Sequence, residues 1–260
     1  MESKSKIERR NNVNNTNTLS TLLITALLTA VFTGCTPQKI IGVNEPVIDQ
    51  NVEVYENPTV SSAEDAIKLL KEGNKRFVNN ELANYDLSHT RRSELTEGQK
   101  PFAVVVTCSA SRVVPEHLLD QGLGDLFVIR VAGNALDEAE IGSIEYAVDH
   151  LGSPLVVILG HESCGAVTTA VAKAEKPAET HTTENIDAFL DNIEPAVAKA
   201  KKTELKGKEL IEKAVDINVE LSVDQLLEES NIVKEGVDAG KIKVVGAKYL
   251  LTSGDVEWFE

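Results

Sequence analysis

Two cysteines and one histidine are the residues of this sequence best suited to chemistry. Cys108 follows an apolar run over 102–107, and His161 and Cys164 share the segment Gly160-His161-Glu162-Ser163-Cys164-Gly165. His-x-x-Cys with a second, distant Cys offers two sulfurs and one ring nitrogen. Zinc takes three such ligands in catalytic sites and keeps its fourth position open. Cys164 is placed to open a helix, where backbone N–H groups favour the thiolate. The competing readings are a Cys108–Cys164 disulfide, ordinary for an exported chain, or two free thiols. Spacing alone leaves these open, and His161 tilts the balance towards metal.

The elements that must position these residues are legible as patterns. Residues 102–107 form a continuous β-branched run of the kind found in buried parallel strands. Runs over 126–131, 155–159 and 241–251 predict three more strands, and 255–259 a short return beside the last. Ser61 and Ser62, with Glu64 and Asp65, predict a helix start. Ala63, Ile67, Leu70 and Phe77 then share one helical face. Residues 141–151 and 164–174 carry helical spacing, as does most of 184–229. The lysine-rich and acidic stretch over 173–213 reads as a solvated helical face or an insertion. Strands alternating with helices predict an α/β domain with a central, mostly parallel sheet flanked by helices. Ligands in such sheets sit at the carboxyl ends of strands, which is where Cys108 and His161 fall.

The N-terminus carries its own signal. Lys4, Lys6, Arg9 and Arg10 precede a spacer rich in Asn and Thr, then an apolar run over 19–33. About 15 residues is short of the roughly 20 needed to span a bilayer, and the layout is that of a secretory signal peptide. The run ends in Phe32-Thr33-Gly34-Cys35, which resembles a bacterial lipobox with Phe32 in place of the usual Leu. The expected organisation is a signal peptide over 1–34, lipidation at Cys35, a tether over 35–60 holding Pro37, Pro46 and Pro58, and one domain over 61–260. That places the domain outside the cytoplasm, in the periplasm or on the cell surface, and on a membrane through its lipid only. The formal net charge is −15, and losing residues 1–34 makes the remainder more acidic still. Such a body repels phosphate backbones, so nucleic acid is not an expected partner.

Cys108-Ser109-Ala110-Ser111-Arg112 resembles the Cys-Ser-Asp-Ser-Arg motif of the β-class carbonic anhydrases. The segments 120–134, 142–147 and 159–167 match the same family in order. So do 72–77 near the domain start and 243–247 near its end, so that the likeness spans roughly 62–260. The resemblance implies Cys108, His161 and Cys164 as ligands of one zinc ion per chain. It implies a parallel α/β fold that forms dimers or tetramers. The implied reaction is the reversible hydration of carbon dioxide to bicarbonate and a proton by zinc-bound hydroxide. In the family the motif Asp pairs with the Arg two residues on and accepts a hydrogen bond from the zinc-bound water. In some inactive forms it becomes a fourth zinc ligand.

Ala110 stands where that Asp is expected. Three expectations follow: a zinc site that residue 110 cannot close, an Arg112 free to attract bicarbonate or another anion, and slower turnover. Ser109, Ser111 and Gly165 are candidate substrate-binding positions; at Gly165 either backbone approach to an anion or tight packing explains the glycine. Glu138 and Glu140 are substitute carboxylates that nothing in the sequence places near zinc. Gly122, Gly124 and Gly133 read as turn glycines, Asp125 and Arg130 as members of structural charge pairs, and His89, His117, His150 and His181 as surface or supporting residues. Trp258 and Phe259 read as capping a core or joining an interface. Two further functions share the chemistry: hydrolysis of carbonyl sulfide or carbon disulfide on the same fold, and a weakened, non-enzymatic lipoprotein that binds zinc or bicarbonate.

Overall fold

The computed structural model describes residues 53–259. The signal peptide read over 1–34, the lipidation residue Cys35 and most of the tether read over 35–60 lie outside the described residues. Within 53–60 the chain is already bonded to the domain. Tyr55 donates its backbone N–H to Asn84 O at 2.8 Å, and Asn57 Nδ2 donates to Gln121 Oε1 at 2.9 Å and to Asp125 Oδ2 at 2.7 Å.

Five strands form one sheet in the order β2-β1-β3-β4-β5. They are β1 (Ala103–Thr107), β2 (Leu126–Arg130), β3 (Leu155–His161), β4 (Lys243–Tyr249) and β5 (Val256–Trp258). The first four are mutually parallel, and β5 runs antiparallel to β4. The sheet is thus the mostly parallel one the pattern predicts, with the 255–259 return beside β4. Every residue of β1 is buried, because strands flank it on both edges and helices cover both faces. Its alternate side chains part accordingly. Val105 packs with Ala66 and Leu70 of α1 (Ala63–Asn79). Val104 and Val106 pack on the other face with Ile144 of α4 (Glu138–Asp149) and Leu226 of α7 (Gly207–Glu229).

Caps fix the helix ends. Ser62 Oγ accepts from Asp65 N at 3.1 Å, with Glu64 and Asp65 in the first turn of α1, which satisfies one free N–H and suits the helix dipole. Asp137 and Glu140 close a capping box at the start of α4. Glu140 is therefore occupied at a helix end and does not replace the missing motif acid.

Three short helices escape the periodicity reading: α2 (His89–Glu94), α3 (Pro115–Leu118) and α8 (Asn231–Asp238). The first two are under two turns long, too short to show a period. The stretch over 173–213 is a solvated helical face, as expected, but it also has a buried side. It holds the end of α5 (Gly165–Glu175), all of α6 (Glu184–Ala200) and the start of α7, and α6 buries Leu190, Ile193, Ala196 and Val197. Those residues join Val167, Leu210 and Ala214 in a cluster that includes Cys108 and Cys164. The charged residues cover the outside of helices whose inner faces wall the metal-capable site.

Candidate metal centre

Chain order places the site. β1 is followed by β2 on one side, whereas β3 lies on the other, so the β1/β3 boundary is where the winding reverses. Crevices outside strand carboxyl ends at such a boundary are the usual ligand sites of open α/β sheets. Thr107 ends β1 opposite Leu159, and Thr107 Oγ1 donates to Leu159 O at 2.8 Å. Cys108 comes one residue later. β3 runs on to His161, two residues past its expected end, so the histidine is held by the sheet.

Ser163 then takes a left-handed backbone conformation, φ 53°. A non-glycine residue there costs roughly 1–3 kcal/mol and persists only where its surroundings enforce it. The turn brings Cys164 to the N-cap of α5. The result is a buried triad. Sγ of Cys108, Sγ of Cys164 and a ring nitrogen of His161 all lie within 4.8 Å of one another. Among the described residues this is the group able to hold a metal ion.

The donor set fits zinc on three counts. The two sulfurs are 3.9 Å apart, against about 3.8 Å for two thiolates on one tetrahedral zinc at about 2.3 Å each. A disulfide needs about 2.05 Å, and both cysteines are free, so the disulfide reading falls. His161 is fully buried. Its Nδ1 is 2.8 Å from Glu162 O; the carbonyl only accepts, so Nδ1 carries the proton. Nε2 then presents a lone pair with no hydrogen-bond partner. A buried acceptor left in that state is costly, and a cation between the sulfurs removes the cost.

The thiols are unlike. The hydrogen bond from Cys164 holds Cys108 well below the usual thiol range, helped by Gly133 N, which donates to its sulfur at 3.3 Å. Cys164 is pushed up by sharing that proton and by burial, while the N–H groups of Ala166 and Val167 favour its thiolate. Two thiolates this close disfavour one another, and a divalent cation between them would remove that penalty.

The remaining expected residues fall around this centre. Ala110 is half-buried against the two apolar clusters that meet at the site. Arg112 is exposed and donates to Ser163 O at 3.3 Å. Ser109, Ser111 and Gly165 are exposed. Open space surrounds the place a Cβ would occupy on Gly165, so packing does not require that glycine. His89, His117, His150 and His181 are all exposed.

Arg130 and Asp125, read as structural charge pairs, do other work. Arg130 donates to Cys108 O at 3.3 Å and to Ala110 O at 2.7 Å, bracing the loop after β1. Asp125 accepts from Gly122 N at 2.8 Å as well as from Asn57. Gly133 is more than a turn glycine. Its φ is 69°, and a Cβ there meets Ile193 Cδ1 at 2.5 Å, so only glycine brings this N–H onto the sulfur. Asn218 of α7 fixes the same loop by donating to Gly133 O at 2.9 Å. Glu212 and Lys248, which the sequence reading passed over, grip the other side of the site.

A family model described as Carbonic anhydrase matches residues 103–256. The chain belongs to the β-carbonic anhydrase family. It is 40% identical over 195 residues to a carbonic anhydrase of Mycolicibacterium smegmatis, covering 74% of this chain and 91% of that one. To carbonic anhydrase 2 of Mycobacterium tuberculosis it is 39% identical over 189 residues, covering 73% and 89%. The solved structure of the β-carbonic anhydrase CcaA superposes with a TM-score of 0.59 at 27% identity, covering 75% of this chain and 95% of that one. The β-carbonic anhydrase CafA of Aspergillus fumigatus gives 0.59 at 25% identity, covering 76% and 90%. This membership agrees with the fold and with the triad built above from contacts alone.

Proposed function

We propose that this β-carbonic anhydrase holds one zinc ion on Cys108, His161 and Cys164 and interconverts carbon dioxide and bicarbonate. The observation that carries the reading is the buried triad, with its unpartnered His161 Nε2, at the reversal point of a family-typical sheet. Zinc held by Cys108, His161 and Cys164 would supply Lewis acidity, the means by which such sites make a water acidic near neutral pH. The protein's own groups do the rest. Gly133 N–H stabilises the Cys108 thiolate, and the Glu162 carbonyl fixes the ring of His161. Arg112, set on the Ser163 carbonyl, offers bicarbonate a planar guanidinium, with Ser109, Ser111 and the Gly165 backbone as its polar neighbours. Ala110 has no carboxylate with which to ligate a bound metal.

The test is stopped-flow carbon dioxide hydration on purified, zinc-quantified protein beside Cys164→Ser. Rapid hydration that falls by at least about 10²-fold with Cys164→Ser, together with loss of zinc, is the expected result. One zinc per chain without hydration sinks the reading and directs attention to carbonyl sulfide and carbon disulfide hydrolysis or to anion binding.

We propose further that the signal peptide over 1–34 directs export and that Cys35 carries lipid, with the acyl chains as the membrane contact. Incorporation of a labelled fatty acid that Cys35→Ala abolishes is the expected result; equal labelling of that variant removes the anchor. A homodimer or tetramer is proposed on physical grounds. The edge strand β2 leaves Phe127, Val128 and Ile129 only half-buried. Beside it lies a cavity of about 630 Å³ lined by Leu82, Tyr85, Leu87, Val114 and Leu126. Light scattering decides the state, a monomer counting against it.

A further inference from the structure

The loop that joins two of the three metal-capable residues is held by a partly buried ion cluster on β4 and α7. Lys248 of β4 is only 7% exposed at its side chain. Its ammonium lies 2.8 Å from Glu212 Oε2 and 2.9 Å from Asp216 Oδ1, carboxylates one turn apart on α7. Glu212 uses its other oxygen differently: Oε1 accepts the backbone N–H of Ser163 at 2.9 Å. Ser163 is the left-handed residue between His161 and Cys164, so its backbone angles set how the imidazole and the second sulfur face one another. A carboxylate pinned by a buried cation is a stiff, charge-assisted acceptor, and removing its partner leaves an uncompensated buried charge. α7 also grips the preceding residue through Lys208, 3.2 Å from Glu162 Oε1, but that lysine is exposed and replaceable by water.

We propose that Glu212, held by Lys248, is a positioning residue of the metal centre: by fixing Ser163 in its left-handed turn it sets the angle between the His161 and Cys164 ligands. The proposal rests on the metal reading above. Groups that orient ligands from outside commonly contribute about 10–100-fold to metal affinity.

The full-length protein is stripped of metal and titrated with cobalt, reading the thiolate charge-transfer and d–d bands, and with zinc against a competing chelator. Glu212→Ala is expected to shift the d–d bands and weaken zinc binding about 10–100-fold. Glu212→Gln keeps an acceptor oxygen for Ser163 and is expected to restore most of the wild-type spectrum. Lys248→Met, with Glu212 present but unpinned, is expected to fall between them, and Lys208→Ala to match wild type. If Glu212→Ala does not fold, the Gln and Met variants carry the test. A Glu212→Ala or Lys248→Met protein with lowered thermal stability but wild-type bands and zinc affinity overturns the proposal, as does Glu212→Gln behaving no better than Ala. Failure of the wild-type protein itself to bind cobalt or zinc overturns the metal reading instead.

Discussion

At residue 110 the question is how the site works with a methyl group where the resemblance expects a carboxylate. Ala110 is packed on apolar neighbours, and its carbonyl is tied to Arg130, so the backbone there is braced whatever the side chain. Arg112, left without an acid, bonds to Ser163 O across the mouth of the site. An aspartate at 110, two residues after Cys108, would offer the site a carboxylate acceptor. Positioned acceptors of this kind contribute about 10²–10⁴-fold when they move a proton themselves, and one that only orients water contributes less. Ala110→Asp is therefore expected to raise hydration by at least about tenfold over the parent, measured by stopped flow across pH. Unchanged rate and unchanged pH profile mean that residue 110 has no part in turnover. Lower activity with tighter zinc retention means that the acid serves as a further ligand instead.

The elements show which parts of this architecture the sequence discloses. Buried parallel strands announce themselves as unbroken β-branched runs, so β1, β4 and most of β3 are legible directly, and the strand-end rule then places Cys108 and His161. The triad is legible only with the family resemblance added, because spacing by itself leaves a disulfide or free thiols open. What stays hidden is whatever works through the backbone or across long sequence distances. Gly133 reads as a turn residue, yet its N–H meets Cys108 Sγ 25 positions away. Arg130 is the last residue of β2, and its bonds to Cys108 O and Ala110 O depend on register between neighbouring strands. Glu212 sits among the charged residues of a stretch that composition alone assigns to solvent. Its role depends on α7 crossing the ends of β3 and β4, and no local pattern encodes a crossing. The apolar positions Leu190, Ile193 and Val197, at i, i+3 and i+7, were the available signal that α6 has a buried face.

Among the described residues, the segment over 53–60 is joined to the domain by polar contacts centred on Asn57, alongside the packing of Tyr55 on Tyr85 and of Val60 on the core. Asn57 reaches both Gln121 and Asp125, Tyr85 OH donates to Asp120 O at 2.7 Å, and Arg76 pairs with Asp120 at 2.5 Å. Asp125 is the weak member of this network. Burial pushes its carboxyl above the usual range, against the opposing pull of Gly122 N–H and the nearby Arg91. A carboxyl whose folded pKa is raised stabilises the fold when protonated, below its unfolded value of 3.8. That contribution is lost as pH rises through the folded value, so at neutral pH the ionised group is a cost to folding. Both hydrogen bonds fall on one oxygen, Oδ2, and an amide oxygen in the same place can accept both. Asp125→Asn is accordingly expected to melt higher than the parent at pH 7, with the gain shrinking as pH falls and gone below pH 3.8. Thermal unfolding of the pair across pH checks this. A variant that melts lower at pH 7 shows that the charge-assisted bonds to Asn57 and Gly122 outweigh the burial of the carboxylate. In that case the ionised acid holds Asn57 and the segment over 53–60.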